Sequence, residues 1–381
     1  MNKPKVGVFR TVYLLYPETF IAEQIRAYSQ YQPVMICREL VREVEELEVV
    51  TIGEKWNYVK KVGFSVFGFA NVFDNFSALN NVRLIHAHFA QGAVFALPLA
   101  RKLKVPLVVT CHGSDVMISD KYLVASMMQS NFRYLASRGK LMREASAFIA
   151  VSEFLRNAMI ARGFPEKKIV RHYIGVDTTR FVPRNDRLQQ KSDEQFILSI
   201  ARHADVKGID LLLKAFAHVV RLHPKLRLVQ IGGGPLTAKL KTLAVELGIE
   251  KNVNFLGSRS PAEVLPYLQS CTALVLSSRK SKNGSEEAFG LVLNEASACG
   301  VPCIGTRVGG IPEAVVHSET GFIVEPENVE DIAEKISILV ADRDLANTMG
   351  KRGREMVCDL FDIRNQTKKL ETLYEQLCPH C

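Results

Sequence analysis

The chain has 381 residues, 47% apolar and 23% charged, with a net charge of +9. That length exceeds what one core usually serves and predicts two domains, and the composition is that of a globular chain, which excludes a disordered one. The positive balance favours an anionic partner, either an acidic membrane surface or a phosphorylated substrate. Nucleic acid is not expected, because no dense run of Lys and Arg is interleaved with aromatics.

Eight cysteines (Cys37, Cys111, Cys271, Cys299, Cys303, Cys358, Cys378 and Cys381) are scattered, several of them in apolar patterns. They read as reduced thiols acting as small hydrophobes. The pair Cys378 and Cys381 has redox-motif spacing, but no second ligand pair accompanies it. No signal peptide is recognisable, and no stretch approaches the roughly 20 apolar residues of a membrane span. The expected location is cytoplasmic, with a peripheral contact to the inner face of the membrane left open.

In chain order, residues 5–9 form a first buried strand. A loop over 10–19 follows, ending in Pro17-Glu-Thr-Phe-Ile21, and then a helix over 22–28. Residues 54–80 mix aromatics with lysines and fit either a core-packed helix with a solvated basic end or a membrane-facing helix. Residues 83–89 are strand-like and put His86 and His88 on one face. No carboxylate or cysteine nearby completes a metal set, so both read as structural or cleft-lining. The strand 105–110 ends in Cys111-His-Gly-Ser-Asp115. A histidine at the carboxyl end of a parallel strand is where α/β proteins place site residues, which singles out His112. The helical stretch 122–147 is basic and carries Met127, Met128 and Phe132, suiting sheet packing or contact with an acceptor or membrane. A strand follows over 147–152, with Ser152 as N-cap of the next helix. The polar stretch 181–194 lacks apolar periodicity and reads as a linker.

The second half opens with the strand 196–200 and a loop carrying Arg202 and Lys207, closed by Gly208 at a helix start. Two cations there suit a diphosphate, one as a planar fork and one as a point charge. The strand 226–231 runs into the glycine turn 232–234, which includes Gly233, and 254–257 is a further strand. The strand 273–276 precedes the polar loop 277–286 and a helix from about Phe289, with Gly300 at C′ and Pro302 beyond. The strand 303–306 and the turn Gly309-Gly310 then open another helix at Ile311. Helix N-termini converging on one sheet edge bind phosphates. Glu295 is placed to accept from a ribose, and Glu287 to lie near the phosphates. The chain is helical from 330 to 358, and a last helix spans 362–377.

The segment Glu287-Ala-Phe-Gly-Leu-Val-Leu-Asn-Glu295 resembles the Glu-x7-Glu signature of retaining glycosyltransferases of family 4. The resemblance runs unbroken over residues 277–326 and covers nearly the whole chain, most weakly at 10–80. The segment Thr110-Cys-His-Gly-Ser-Asp115 resembles the family's Thr-x-His-Gly-x-Asp, and residues 174–177 its Asn-Gly-Val-Asp, with Ile174 replacing Asn. Ala201 stands where the family has Gly. The first loop lacks the common Gly-Gly pair and is similar to a subgroup with Pro-Glu-Thr-Phe-Ile, found in polysaccharide gene products.

The resemblance implies an α/β chain of GT-B fold: two Rossmann-like doubly wound domains facing a cleft. Residues 1–190 with the crossing helix 362–381 would bind the acceptor, and 191–361 the donor. It implies retaining transfer of a hexosyl group from a nucleoside diphosphate sugar to a hydroxyl of a glycan or lipid-linked acceptor, in bacterial surface polysaccharide assembly. Arg202 and Lys207 would neutralise the diphosphate, helped by Phe289, Gly290, Leu291, Val292 and Gly233. Glu295 would hold the ribose, and His112 and Glu287 the sugar. With side chains meeting that charge, no metal or other cofactor is expected. UDP and GDP donors both remain open. An epimerase or phosphorylase on this scaffold, or a non-catalytic sugar-nucleotide-binding subunit, are the alternatives.

Overall fold

The computed structural model describes residues 3–13, 19–41, 47–51, 63, 76–184 and 195–378. The chain divides into two compact units, Met1–Gly175 with Ile363–Cys381, and Val176–Asp362. Residues 176–184 therefore go with the second unit. Val176 N donates to Phe361 O at 2.8 Å, and Thr178 Oγ1 donates to Asp362 Oδ2. Residues 185–194 of the expected linker, 14–18 of the first loop, and 54–75 of the aromatic-basic stretch except Gly63 lie outside the described residues.

The first unit holds β1 (Lys5–Phe9), β2 (Val12–Tyr13), β3 (Gln32–Ile36), β4 (Glu39–Leu40), β5 (Glu48–Val50), β6 (Val82–His88), β7 (Leu107–Cys111), β8 (Ala147–Ala150) and β9 (Ile169–Arg171). Seven of these form one parallel sheet in the order β5-β3-β1-β6-β7-β8-β9. The apolar runs of β1, β6, β7 and β8 are buried along nearly their whole length, as expected of strands covered on both faces. Between them lie α1 (Thr19–Arg26), α2 (Ala90–Leu103), α3 (Ser114–Met117), α4 (Asp120–Ala125), α5 (Gln129–Glu144) and α6 (Glu153–Ala161). The stretch 122–147 is thus two helices and a strand start, with Met127 at the break in the left-handed region (φ 53°). Ser152 caps α6, its Oγ accepting from Leu155 N at 3.0 Å.

The second unit holds β10 (Phe196–Ile200), α7 (Ile209–Leu222), β11 (Arg227–Ile231), α8 (Thr237–Glu246), β12 (Val253–Gly257), α9 (Pro261–Ser270), β13 (Ala273–Leu276), α10 (Leu291–Ala298), β14 (Cys303–Thr306), α11 (Ile311–Ala314), β15 (Gly321–Val324), α12 (Val329–Ala341) and α13 (Arg343–Leu360). Its sheet order, β12-β11-β10-β13-β14-β15, is the 3-2-1-4-5-6 of doubly wound folds. The helix expected over 330–358 is broken at Asp342, whose Oδ1 accepts from Leu345 N at 2.9 Å and so starts α13.

The last helix, α14 (Ile363–Leu377), returns to the first unit. Leu370 and Tyr374 join the core of Val8, Ile21, Met35 and Leu84. Glu371 is fully buried, and its carboxylate accepts from the N–H groups of Ser29, Gln30 and Tyr31 and from Ser29 Oγ, at 2.7–3.2 Å. At the crossing, a side chain on Gly175 would meet the Ile363 backbone at 2.5 Å, so only glycine lets the segments lie this close. In both sheets the winding reverses beside the first strand, between β1 and β6 and between β10 and β13. The carboxyl edge at such a switch point is where these sheets bind ligands.

Candidate functional site

In the first unit the edge is built from the ends of β1, β6 and β7. The period-2 pleat puts His86 and His88 on one face of β6, where their rings stack at 4.6 Å. His86 uses both ring nitrogens: Nδ1 is hydrogen-bonded to Tyr374 OH at 2.5 Å and Nε2 to Thr110 Oγ1 at 2.6 Å. Tyr374 OH in turn meets Tyr28 OH at 2.8 Å. His88 Nδ1 is hydrogen-bonded to His112 Nε2 at 3.0 Å. The rings of Phe89 and Phe20 flank His112 at 4.5 and 4.9 Å, and the Arg10 guanidinium lies 4.2 Å over Phe89.

Asp115 holds this corner together. Its buried carboxylate accepts from Ala90 N, His112 N and Gly113 N at 2.8–3.0 Å. The first of those starts α2, so one side chain fixes both that helix end and the backbone of His112. Burial raises the Asp115 pKa, and these backbone donors oppose the rise. Phe89, between β6 and α2, sits at φ 66°, a strained conformation for a residue with a side chain.

Burial pushes the pKa of His112 down to about 3, with Arg10 and His86 adding to it. His86 falls to about 3, through burial and then His172. His88 falls well below its ordinary value through burial and its histidine and Arg10 neighbours. At neutral pH this is a column of neutral imidazoles, able to donate and accept hydrogen bonds but carrying no charge. His112 Nδ1 and His88 Nε2 are buried without a partner among the described residues.

In the second unit, three loops close on one another. Gly208 (φ 57°) ends the loop after β10, and a Cβ there would lie 2.0 Å from Ser277 O. That contact sets the loop after β13 against the start of α7, and Ser277 Oγ donates to Gly208 O at 2.9 Å. Arg279 Nε donates to Asp205 O at 3.0 Å while Nη2 pairs with Asp210. Across this junction Lys207 Nζ forms an ion pair with Glu287 Oε2, the side chains 25% and 14% exposed. The third loop pins the backbone: Gly310 N donates to Glu287 O at 2.9 Å, and a Cβ on Gly309 would overlap that same oxygen.

Gly290 (φ 83°) then turns the chain into α10, so the helix begins at Leu291, two residues later than its apolar pattern suggests. Leu291 and Val292 are its first residues, whose N–H groups have no intrahelical acceptor. Phe289 is 2% exposed and meets Phe361 edge-on at 5.4 Å, and its backbone packs against Gly310. Glu295 is half-buried one turn along. Arg202 is exposed beside the β11 turn, where His203 N donates to Gly233 O at 2.9 Å.

The structure therefore joins Lys207 to Glu287 directly, sets the 289–292 backbone behind them, and puts Arg202 and Gly233 on adjoining loops. His112 belongs to the other unit. Among the described residues no group of three His, Cys, Asp or Glu side chains is arranged to hold a metal ion. The chain's Asp-x-Asp triplet, Asp342-Arg-Asp344, starts α13 through Asp342. Sequence reasoning did not single out Asp115, although its spacing from His112 allows a local cap. It also passed over Asn294, which is fully buried with neither amide atom bonded among the described residues. Tyr374, 288 residues from His86, gives no local signal. No helix among the described residues is long and apolar enough to cross a membrane.

Residues 18–180 match the family described as Glycosyltransferase Family 4, and residues 184–356 that described as Glycosyl transferases group 1. The chain is 31% identical over 303 residues to an N-acetyl-alpha-D-glucosaminyl L-malate synthase of Bacillus anthracis, covering 77% of this chain and 74% of the relative. It is 30% identical over 308 residues to a GDP-mannose-dependent alpha-(1-6)-phosphatidylinositol monomannoside mannosyltransferase of Mycolicibacterium smegmatis, covering 76% and 78%. The sucrose-phosphate synthase of Thermosynechococcus elongatus shares the fold over the full length of both chains, with a TM-score of 0.79 at 21% identity.

Proposed function

Because this chain belongs to the nucleotide-sugar glycosyltransferases of family 4, we propose that it is a retaining hexosyltransferase whose acceptor hydroxyl is borne by a glycan or a lipid-linked glycan of a bacterial surface polysaccharide. The bond between the sugar's anomeric carbon and the diphosphate breaks, a bond from that carbon to the acceptor oxygen forms, and the acceptor proton leaves with the diphosphate.

The observation that carries this reading is the Lys207–Glu287 pair at the switch point, immediately before the N-terminus of α10. A lysine already held by a carboxylate is fixed in place before the leaving group develops its charge, and such prearranged charge is what stabilises a transition state. In this reading Arg202 and the first amides of α10 take the rest of the diphosphate, Glu295 holds the ribose, and Glu287 orients the sugar through its second oxygen. His112, neutral at working pH, positions the sugar by hydrogen bonding and does not act as an acid. With cationic side chains on the diphosphate, turnover is independent of added metal. Activity lost in chelator and restored by Mg²⁺ or Mn²⁺ refutes that part.

A membrane-borne acceptor is supported by an exposed apolar strip on α4, the turn after it and the start of α5 (Tyr122, Val124, Met127, Met128 and Phe132) beside the exposed Lys121. Rings and thioethers with adjacent cations suit an acidic lipid surface. The deciding experiment is a melting-temperature panel of UDP, GDP, ADP and their sugars on the wild type and Glu295→Ala. A bound donor stabilises the fold according to its concentration over its Kd. One diphosphate raising the wild-type melting temperature, with the rise lost in Glu295→Ala, supports the reading, and a flat panel rejects it. Transfer that requires an acceptor excludes an epimerase.

A further inference from the structure

Beside His112, the first unit contains a second cavity, of about 200 Å³, where the edge strand β9 meets α14. Its polar lining includes Arg171, His172, Tyr173, Gln366 and Lys369, and its apolar lining includes Val170 and Leu373. Arg171 is preset: its guanidinium lies 4.6 Å over the Tyr173 ring. Glu153 reaches it at 3.7 Å but also accepts from Arg156 at 3.2 Å, so that carboxylate is shared. Lys369 is exposed and has no ion-pair partner among the described residues. His172 is only 9% exposed, and its Nε2 lacks a hydrogen-bond partner among the described residues. Both cations bear on its ring: after burial, Lys369 and Arg171 are what hold its pKa down at about 4. A concave site with two cations, a buried unpartnered ring nitrogen and one shared carboxylate has unmet demand for an anion. The aliphatic side asks for more than a bare ion. His172 and Tyr173 also line the small cavity that holds His88 and His112, so the two cavities share a wall.

We propose that this cavity is a phosphate subsite for the acceptor: it takes a phosphate monoester, with Arg171 and Lys369 countering its charge, His172 donating to an oxygen, and the ester chain lying over Val170 and Leu373. Only the word acceptor rests on the glycosyltransferase reading above; the phosphate site itself does not. An acceptor phosphate held here would give that substrate a fixed anchor in the same unit as His112.

The test titrates the full chain with inorganic phosphate and with hexyl phosphate, followed by ³¹P line width and calorimetry, in the wild type, Arg171→Gln, Lys369→Gln and Glu295→Ala. Both probes are expected to bind saturably. Each Gln variant should weaken them about tenfold, or 1.4 kcal/mol, while Glu295→Ala leaves them unchanged. Hexyl phosphate binding more tightly than inorganic phosphate identifies an ester as the occupant, and equal affinities identify free phosphate. Both altered side chains are exposed, so unchanged melting temperatures will show that the variants fold. Binding of neither probe at millimolar concentration, or binding untouched by both Gln variants, overturns the proposal. A flat nucleotide panel with phosphate binding intact would sink the donor reading and leave this site standing.

Discussion

The two units share a sheet plan and a switch point, yet equip that edge in opposite ways. The first unit lines it with buried, uncharged groups: His86, His88 and His112 stacked between aromatic rings and tied to Tyr374. The second lines it with charge left partly in water, Lys207 with Glu287, Arg279 with Asp210, and Arg202 exposed. Burial makes the difference. A charged imidazole inside the first unit would lose its hydration, and the nearby Asp115 carboxylate is taken up by backbone N–H groups, so these rings stay neutral. In the second unit close-packed backbone does the holding, through Gly208, Gly309 and Gly310, and the side chains stay free to carry charge. One edge is suited to reading hydroxyls and the other to meeting phosphates.

Acid should separate the two most strongly. The folded-state pKa values of His86, His112 and His172 lie at about 3 to 4, below the ordinary value near 6.5 of the unfolded chain. Their contribution to stability is complete above about pH 6.5 and is lost as the pH falls towards 4, because the unfolded state then binds more protons. Each such ring removes up to about 1.4 kcal/mol per pH unit. Hydrogen exchange between pH 7 and 4.5 should show the first unit opening before the second; simultaneous loss would erase the contrast.

Next in size are changes to the charged edge. Lys207→Ala or Glu287→Gln should lower kcat by about 10²–10³, with far-ultraviolet circular dichroism unchanged. A smaller effect follows from cutting the neutral edge at its distant support. Tyr374→Phe leaves His86 Nδ1 buried without its partner and should cost about 1–3 kcal/mol in denaturant unfolding. Smallest in stability is Arg202→Ala, expected within about 0.5 kcal/mol of wild type because the side chain is exposed, while nucleoside diphosphate affinity falls and loses part of its salt dependence. An Arg202→Ala chain that unfolds early would show that the charged edge is structural after all.

The strand–helix alternation and the second unit's loops were legible because glycine, capping residues and apolar runs act over a few residues. Gly300 ends α10 at C′ with φ 71°, and Ser152 caps α6, both as local rules require. The start of α10 was read two residues early because Phe289 continues the apolar period, while the chain actually turns at Gly290. The break at Asp342 was missed because helical periodicity continues through it. His112 could be found from its place at a strand end, but the groups that set its charge state could not. Arg10 and His86 reach it only through the sheet, and Tyr374 reaches His86 only after the chain has crossed back. Long-range pairing of this kind leaves no period in the sequence.

That crossing has a consequence for how the protein is made. Glu371 is bound to the N–H of Ser29, 342 residues earlier, and Tyr374 fills the same core as Val8 and Ile21. During synthesis the second unit has all of its residues before α14 is translated, and the first must wait with part of its apolar core and its 29–31 turn uncovered. The half of the chain that emerges first from the ribosome is therefore the last to close, and for that interval it is the half most in need of a chaperone.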